Sequence, residues 1–160
     1  MTRIVDTRKQ MKRHENNRDH FDSFIRLNEG WISKYFSLEE ADKKLAADPG
    51  KVIDDGGYIF SITEGDEVIG VCALFRKEDG VFELARMAVD PLHHGRGVGN
   101  RLMRVCLSKA REVGAKSVYL VSNTKLKAAI QLYLKYDFVA THNGPHPIYS
   151  RANIVMELRN

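Results

Sequence analysis

Residues 83–103 decide the fold of this chain and read Glu83-Leu-Ala-Arg-Met-Ala-Val-Asp-Pro-Leu-His-His-Gly-Arg-Gly-Val-Gly-Asn-Arg-Leu-Met103. An apolar strand pattern breaks into a basic loop with glycine at positions 95, 97 and 99, and an amphipathic helix follows. Glycine adopts backbone angles that other residues avoid and lets amides approach a ligand closely. The first N–H groups of a helix are unpaired and carry the positive end of its dipole. The stretch therefore predicts a cradle for an anion such as a phosphate.

The spacing of these glycines excludes two common nucleotide-binding motifs. A dinucleotide fingerprint needs Gly-x-Gly-x-x-Gly in a parallel strand-helix-strand unit, with an acidic residue about 20 positions later. Here the spacing is Gly-x-Gly-x-Gly, and Asn123 and Thr124 follow the next candidate strand. A Walker loop needs Gly-Lys followed by Ser or Thr, and the chain has no such loop.

Hydrophobic periodicity upstream of the loop predicts two helices followed by an antiparallel meander. Apolar residues at helical spacing across residues 21–32 indicate the first helix. Ser37 and Glu40 form a capping-box pattern, so a second helix should begin near Leu38 and end before Pro49. Three strand patterns then span residues 58–89, with turns at Gly65-Asp66 and Asp79-Gly80.

Downstream of the loop the pattern predicts a mixed sheet. The helix after the glycines places Leu102, Val105, Cys106 and Val113 on one face, with Gly114 as its C-cap. A strand at residues 118–121, a helix near 125–136, and strands at 138–141 and 154–158 complete the order. This order predicts an α/β (α+β) fold with a mixed sheet.

Length and composition favour one domain over residues 1–160. Cys72 and Cys106 lie in apolar patterns whose spacing suits neither a zinc site nor a disulfide framework, which predicts a reduced, cytoplasmic setting. No apolar run approaches the roughly 18 residues of a membrane helix, and the first residues have no secretory signal pattern. We therefore expect a soluble protein without a membrane partner.

The basic residues near the N-terminus are compatible with nucleic-acid binding or with a solvated surface. The formal net charge is +4, and Lys and Arg are frequent from Arg3 to Arg18. Acidic residues interrupt this run, and no aromatic residue interleaves with it before Phe21. A solvated surface is favoured, with no nucleic-acid partner. Ile4 and Val5 are a candidate first strand in this region.

Three ordered motifs resemble those of the GNAT superfamily of acetyl-CoA-dependent N-acetyltransferases. The run from His94 to Gly99 resembles its Gln/Arg-x-x-Gly-x-Gly/Ala loop, with His94 in the place of Gln or Arg. Residues 126–138 resemble its Ala-x-x-x-Tyr-x-x-x-Gly-Phe block, with Asp137 in the place of the glycine. Residues 149–158 resemble the closing strand of a small-molecule-acetylating branch. The resemblance implies a mostly antiparallel central sheet of six to seven strands, flanked by about four helices.

This resemblance also implies acetyl-CoA as cosubstrate and assigns its binding residues. The pyrophosphate should meet the backbone around Arg96 to Asn100, with Arg96 and Arg101 as charge partners. A backbone N–H from the Met87 to Val89 stretch should receive the thioester oxygen. Asn123 should bond the pantetheine arm or, alternatively, serve only as a turn residue. The full predicted set is Met87, Ala88, Val89, His94, Gly95, Arg96, Gly97, Val98, Gly99, Asn100, Arg101 and Asn123.

Two residues are candidates for catalysis. Glu83 lies where the histone-acetylating branch of the family has a base, and it would take the amine proton directly or through water; the alternative is a solvent-facing strand residue. Tyr133 matches the family tyrosine that protonates the departing thiolate; the alternative is a core tyrosine. A phenol with a pKa of about 10 and a thiol of about 8.5 are close enough for proton transfer.

The acceptor pocket is assigned to the N-terminal helices and the segment before the last strand. Its candidates are Trp31, Tyr35, Phe36, Tyr149 and Arg151, with Asn153 as a further polar group; alternatively, the aromatic residues only pack the helices on the sheet. Arg151 would bind the carboxylate of an amino acid. A metal site is rejected, because His93, His94, His142 and His146 have no carboxylate or cysteine set at ligand spacing.

The sequence thus predicts an N-acetyltransferase that transfers acetyl from acetyl-CoA to a primary amine by direct attack in a ternary complex. The acceptor is predicted to be a small molecule or amino acid. Two alternatives are a protein or peptide N-acetyltransferase and a non-catalytic acyl-CoA sensor. No oligomeric state follows from the sequence, although a homodimer is compatible with it.

Overall fold

A computed structural model describes residues 10–159, so the candidate strand at Ile4 and Val5 lies outside the described residues. Within this range, seven strands form one sheet: β1 Met11–Glu15, β2 Tyr58–Glu64, β3 Glu67–Glu78, β4 Val81–Val89, β5 Ser117–Ser122, β6 Phe138–Asn143 and β7 Ile154–Leu158. The same described residues form five α-helices: α1 Phe21–Tyr35, α2 Glu40–Ala47, α3 Lys51–Asp54, α4 Val98–Glu112 and α5 Lys127–Lys135. This architecture confirms the predicted mixed α/β fold.

The strands are ordered β1-β2-β3-β4-β5-β7-β6. All neighbouring pairs are antiparallel except β4 and β5, which are parallel. A parallel pair needs a crossover connection, and α4 supplies it. The crossover places the glycine loop at the end of the central strand β4, immediately before α4. The predicted cradle therefore directly follows the last strand of the predicted meander.

Helices cover both faces of the sheet because side chains of successive strand residues point to opposite faces. On one face Cys72 and Leu74 of β3 pack with Leu102 and Cys106 of α4. On the other face alternate residues of the same strand pack against α1, through its Phe24. The predicted face of α4 is confirmed at Leu102 and Cys106, whereas Val113 follows the helix end and is 39% exposed.

Two local predictions near the N-terminus require correction. Helix α2 begins at Glu40, and its capping box is formed by Glu39 and Asp42 rather than by Ser37 and Glu40. Strand β1 was absent from the sequence prediction, since its residues Met11–Glu15 are polar at an exposed sheet edge and have little periodicity. The single-turn helix α3 raises the helix count to five.

Two features bear on the predicted setting of the chain. Within residues 10–159, no helix has the length and apolar character required to cross a membrane. Both cysteines are buried and free, and burial raises the pKa of the Cys106 thiol well above its usual value. Both thiols are buried and neither lines the main cavity, so neither cysteine is placed to form a covalent intermediate.

Candidate active site

A cavity of about 670 Å³ opens where β4 and β5 separate. The two strands pair only from Val81 to Glu83, opposite Ser117 to Tyr119. Beyond this point β4 continues to pair with β3, whereas β5 pairs with β7. Residues 84–89 of β4 therefore border the cavity on the side where a neighbouring strand would otherwise lie.

A β-bulge bends β4 beside this cavity. The register between β3 and β4 shifts here, and Arg86 takes a φ of +58°. The buried side chain of Asn28 in α1 donates to the Arg86 carbonyl at 2.9 Å and accepts a hydrogen bond from Trp31 Nε1. Such backbone strain persists only where surrounding contacts hold it, and here α1 supplies one of them. The next residues, Met87 to Val89, line the cavity, and their predicted contact with the thioester stays a prediction.

The glycines of the loop differ in their backbone conformation and in their surroundings. Gly95 and Gly97 have φ values of +79° and +77°, which L side chains rarely adopt, and a Cβ at either would meet nothing within 4 Å. Gly97 is the N-cap of α4, so this open space lies at the helix start. Gly99 instead allows close packing, since its Cβ would lie 3.4 Å from Leu132 of α5. The backbone around α4 is thus free to meet an anion.

His94 connects the glycine loop to β4. Its Nε2 lies 3.1 Å from the Val89 carbonyl, which requires that Nε2 carry the proton and donate. His94, which stands where the family pattern has Gln or Arg, therefore holds the glycine loop against the end of β4. The adjacent His93, which the sequence prediction did not include, also lines the cavity.

Arg96 and Arg101, the predicted charge partners of the phosphates, lie outside the cavity lining. The guanidinium of Arg96 forms two hydrogen bonds with the Glu64 carboxylate, and neither Arg96 nor Arg101 lines the cavity. Lys125 and Lys127, at the start of α5, do line it. Their positions follow from the packing of α5 beside α4, which the local sequence pattern does not specify.

Glu83 lies in the cavity wall and is only 7% exposed, so it is not the solvent-facing residue of the alternative. Tyr119 donates to its Oε1 at 3.4 Å, and Lys77 Nζ lies 3.7 Å from the same oxygen. Among the described residues, Oε2 has no hydrogen-bond partner, so it is the oxygen available to a molecule in the cavity. Burial raises the pKa of Glu83, while the charges of Lys77 and Arg86 oppose the shift.

Tyr133 of α5 also lines the cavity. Its ring packs edge-to-face on Phe138, with 6.3 Å between the centroids, so it is held by the core as well. Its hydroxyl has no hydrogen-bond partner within residues 10–159, and burial raises the pKa of the phenol. The hydroxyl is therefore protonated at neutral pH and free to donate into the cavity.

Two asparagines predicted as ligands make internal contacts. Asn123 lines the cavity, but its amide donates to the Arg151 carbonyl at 2.6 Å and its Oδ1 accepts from the backbone of Lys125. The Asn123 side chain thus closes a turn, which agrees with the alternative interpretation of this residue as a turn residue. Asn100 also lines the cavity, and its Oδ1 accepts hydrogen bonds from Lys135 and Tyr136. The side-chain oxygens of both asparagines are thus already hydrogen-bonded within the protein.

The predicted aromatic wall is assembled at the other end of the cavity. Trp31, Tyr35 and Phe36 from the end of α1 line it together with Tyr149 from the β6–β7 connection. Trp31 and Phe36 pack edge-to-face at 6.4 Å, while Tyr35 is 54% exposed at the rim. Asn153 is outside this wall, because its side chain bonds Thr124 on both its oxygen and its nitrogen.

An ionic network lies behind this wall. Asp42 of α2 accepts hydrogen bonds from both Arg86 and Arg151, and Arg151 also bonds Glu39 at 3.0 Å. Both guanidinium groups flank the Tyr149 ring, and Arg86 Nη2 donates to its hydroxyl at 2.9 Å. Burial alone would raise the pKa of Asp42, but the hydrogen bonds from Arg151 and the charge of Arg86 lower it to about 2. Arg151 lines the cavity, but its guanidinium already pairs with Asp42 and Glu39, so its contact with a substrate carboxylate stays a prediction.

One group of potential metal ligands lies near the glycine loop. Ligand atoms of Glu67, Asp90 and His93 lie within 4.8 Å of one another. Asp90 Oδ1 already accepts a hydrogen bond from the Leu92 amide, as a cap of the short helical turn at residues 91–93. No group found in the described part of the chain includes His94, His142 or His146.

Comparison with known families shows which family the chain belongs to. Residues 15–138 match the model of the acetyltransferase (GNAT) family. The chain belongs to this family. It is 30% identical over 111 residues to the Escherichia coli N-acetyltransferase YjgM, covering 64% of this chain and 66% of that protein. It is 29% identical to YvbK of Bacillus subtilis, covering 61% and 65%. The chain thus spans just under two thirds of the length of these relatives.

Solved structures share the GNAT fold over almost the whole chain. A GNAT-family acetyltransferase of Staphylococcus aureus superposes with a TM-score of 0.83 at 17% identity, covering 93% of this chain and 98% of that one. YncA of Salmonella typhimurium, whose structure contains its cofactor acetyl-CoA, gives a TM-score of 0.73 at 18% identity and covers 93% of each chain. At such identities the likeness shows the fold alone.

Sequence reasoning missed three ionic residues of this GNAT site: Asp42, Arg86 and Glu39. No local motif distinguishes them, because each acts through partners on other elements. Arg86 is 44 residues from Asp42, and Arg151 is 109 residues from it. The sequence signal was the position of Arg86 in a strand that is apolar apart from Glu83, which indicates a buried polar partner but does not identify it.

Proposed function

We propose that this protein is an acetyl-CoA-dependent N-acetyltransferase that acetylates the primary amine of a small molecule by direct attack in a ternary complex. One observation carries the proposal. A single cavity extends from the glycine cradle at the start of α4 to Glu83 and Tyr133. It therefore joins an anion-binding end to a buried carboxylate and a free phenol, which are the groups that acetyl transfer to an amine requires.

The cradle fits the phosphates of coenzyme A. Gly95 and Gly97 leave open space where side chains would otherwise project, and the first amides of α4 lie beside it. Lys125 and Lys127 add positive charge to the cavity wall. Once bound, acetyl-CoA supplies an activated thioester, and β4 residues Met87 to Val89 lie along the route from the cradle to Glu83.

Glu83 is the proposed base. An alkylammonium has a pKa of about 10, so its proton must leave before its nitrogen attacks the thioester carbon. Glu83 Oε2 takes this proton, directly or through a water, and the raised pKa makes the carboxylate a better base than an exposed glutamate. A backbone amide of the Met87 to Val89 stretch would stabilise the developing oxyanion.

Tyr133 is the proposed acid. When the carbon–sulfur bond breaks, the phenol gives its proton to the leaving sulfur and is reprotonated from solvent. Burial raises the pKa of the Tyr133 phenol, and the same apolar surroundings make the departing thiolate more basic than it is in water. The two shifts thus have the same direction, and the hydroxyl has no hydrogen-bond partner within residues 10–159 from which it must first be released.

The decisive experiment measures thiol release from acetyl-CoA in the presence of a panel of primary amines. Glu83→Gln and Tyr133→Phe should each lower turnover by roughly 10²-fold or more with little change in CoA affinity measured by calorimetry. Tyr58→Phe, a phenol of β2 outside the cavity, is the matched control and should retain full turnover. Tight CoA binding without release for any amine would support the sensor alternative, and release only with peptides would support the peptide alternative.

A further inference from the structure

The acceptor end of the cavity has an unusual charge arrangement. Its two arginines, Arg86 and Arg151, have side chains that are only 7% and 11% exposed. Arginines in such a wall usually suggest a carboxylate ligand. Here their anions are already present, because Asp42 and Glu39 supply one carboxylate for each guanidinium. The network is therefore neutral and complete without a substrate.

The hydrogen bonds show how fully these groups are used. Asp42 Oδ1 accepts from both Arg86 and Arg151, and Asp42 Oδ2 accepts from Arg151 at 2.7 Å. Glu39 Oε1 accepts from the backbone and hydroxyl of Ser150, and its Oε2 accepts from Arg151. A substrate carboxylate would have to displace Asp42 from these partners and leave it buried without them. The hydrogen bonds that the substrate carboxylate gained from the arginines would be of the same kind as those that Asp42 lost.

The rest of the wall favours a positive charge attached to an apolar body. Among the described lining residues, Glu83 is the one carboxylate, and its Oε2 has no hydrogen-bond partner there. Besides the proposed acid Tyr133, the lining includes the aromatic side chains of Trp31, Tyr35, Phe36 and Tyr149. Aromatic faces attract ammonium groups and also cover apolar surface. A second ammonium at the far end of an acceptor would find no further carboxylate in this wall.

We infer that the acceptor is a primary monoamine on an apolar or aromatic body, with no carboxylate beside the amine. The Arg86–Asp42–Arg151–Glu39 network determines this specificity because it neutralises the arginines that would otherwise select an amino acid. This inference rests on the proposed function, since it concerns the acceptor of the same reaction.

Four acceptors of related structure test the inference directly. Phenethylamine and phenylalanine differ by the carboxylate, phenylalaninamide replaces it with an uncharged group of similar size, and spermidine adds charge without an aromatic body. We expect kcat/KM for phenethylamine to exceed that for phenylalanine by roughly 10²-fold or more, with phenylalaninamide close to phenethylamine. Phenylalanine or spermidine as the best substrate would overturn the inference.

Variants of the network show whether charge is the cause. Asp42→Asn and Glu39→Gln each leave the two arginines with one carboxylate between them and a net positive charge, so the phenylalanine to phenethylamine ratio of kcat/KM should rise roughly tenfold. Glu40→Gln, at an exposed neighbouring position of α2, is the matched control and should leave the ratio unchanged. If the Asp42→Asn protein fails to fold, the Glu39→Gln protein alone still tests the inference. An unchanged ratio in a folded Glu39→Gln protein would contradict the assignment.

Calorimetry with CoA-saturated protein separates this inference from the proposed function. Tighter binding of phenethylamine than phenylalanine would support the inference even if no amine is acetylated, in which case the proposed function fails alone. Equal or tighter binding of phenylalanine, together with normal acetylation of either amine, would overturn the inference and leave the proposed function intact.

Discussion

The hydroxyl of Tyr119 donates to Oε1 of Glu83 at 3.4 Å, at the last step where β4 and β5 are paired. Lys77 of β3 approaches the same oxygen from the other side, 3.7 Å away. Three adjacent strands thus hold one oxygen of the carboxylate and leave the other for the cavity. Two residues outside the cavity lining, Lys77 and Tyr119, therefore act together with burial and Arg86 on the basicity of the proposed base.

This arrangement predicts a pH dependence with a defined sign. Burial raises the pKa of Glu83, and Lys77, Arg86 and Tyr119 all oppose that rise. Since a base acts only when deprotonated, kcat/KM should fall as the pH drops through the raised pKa. Lys77→Gln removes an opposing charge, so this acidic limb should move to higher pH by about half a unit or more. Lys77→Arg keeps the charge and should restore the wild-type profile for the same amine.

The stability of the acceptor end should depend on Asp42. Its pKa is lowered to about 2 in the folded protein, so its contribution is present above the unfolded value of about 3.9 and lost as pH falls through 2. We expect Asp42→Asn to lower the free energy of unfolding by roughly 2–4 kcal/mol at pH 7. Urea unfolding at pH 7 and pH 3 measures this difference, which should shrink at the lower pH. Asp48→Asn at the end of α2 should show little change at either pH.

The two kinds of glycine in the loop should respond differently to alanine. Gly97→Ala imposes a side chain at a φ of +77°, and we expect a loss of roughly 1–2 kcal/mol in unfolding free energy together with weaker CoA binding. Gly99→Ala only brings a methyl group to 3.4 Å from Leu132, an ordinary contact, and should be much milder. Denaturant unfolding and CoA titration of both variants make the comparison; equal effects would show that packing rather than backbone conformation limits the loop.

The charged side chain that supports the phosphates beside the backbone cradle should be Lys127 at the start of α5 rather than Arg96 in the loop. Arg96 is paired with Glu64 and does not line the cavity, whereas Lys127 does. Arg96→Gln should therefore change CoA affinity by less than about threefold, while Lys127→Gln should weaken it by roughly tenfold at low salt. Calorimetric titrations at two ionic strengths would show the effect of Lys127→Gln diminishing as salt rises. A larger effect of Arg96→Gln would restore the role that the sequence assigned to it.

Local pattern was sufficient for most of the fold. The two-residue turns at positions 65–66 and 79–80 and the alternating strands between them predicted the meander, which β2, β3 and β4 confirm. The prediction was weaker where local signals are few: strand β1 is short and polar, and the cap of α2 depends on Glu39 rather than Ser37. A capping-box pattern can be read at more than one register, and tertiary contacts select between them, here through the bonds from Arg151 to Glu39 and Asp42.

The sequence by itself determined the strand that ends in a glycine loop, the helix that follows this loop, and the position of Glu83 on that strand and of Tyr133 on a later helix. These features are local, because glycine spacing and hydrophobic period act over a few residues. Only the tertiary structure decided which charges are free. Arg96 and Arg151 read as ligand-binding residues in the sequence, yet Glu64 and Asp42 lie 32 and 109 residues away and occupy them. Ion pairing depends on distance in space, and chain separation does not encode it.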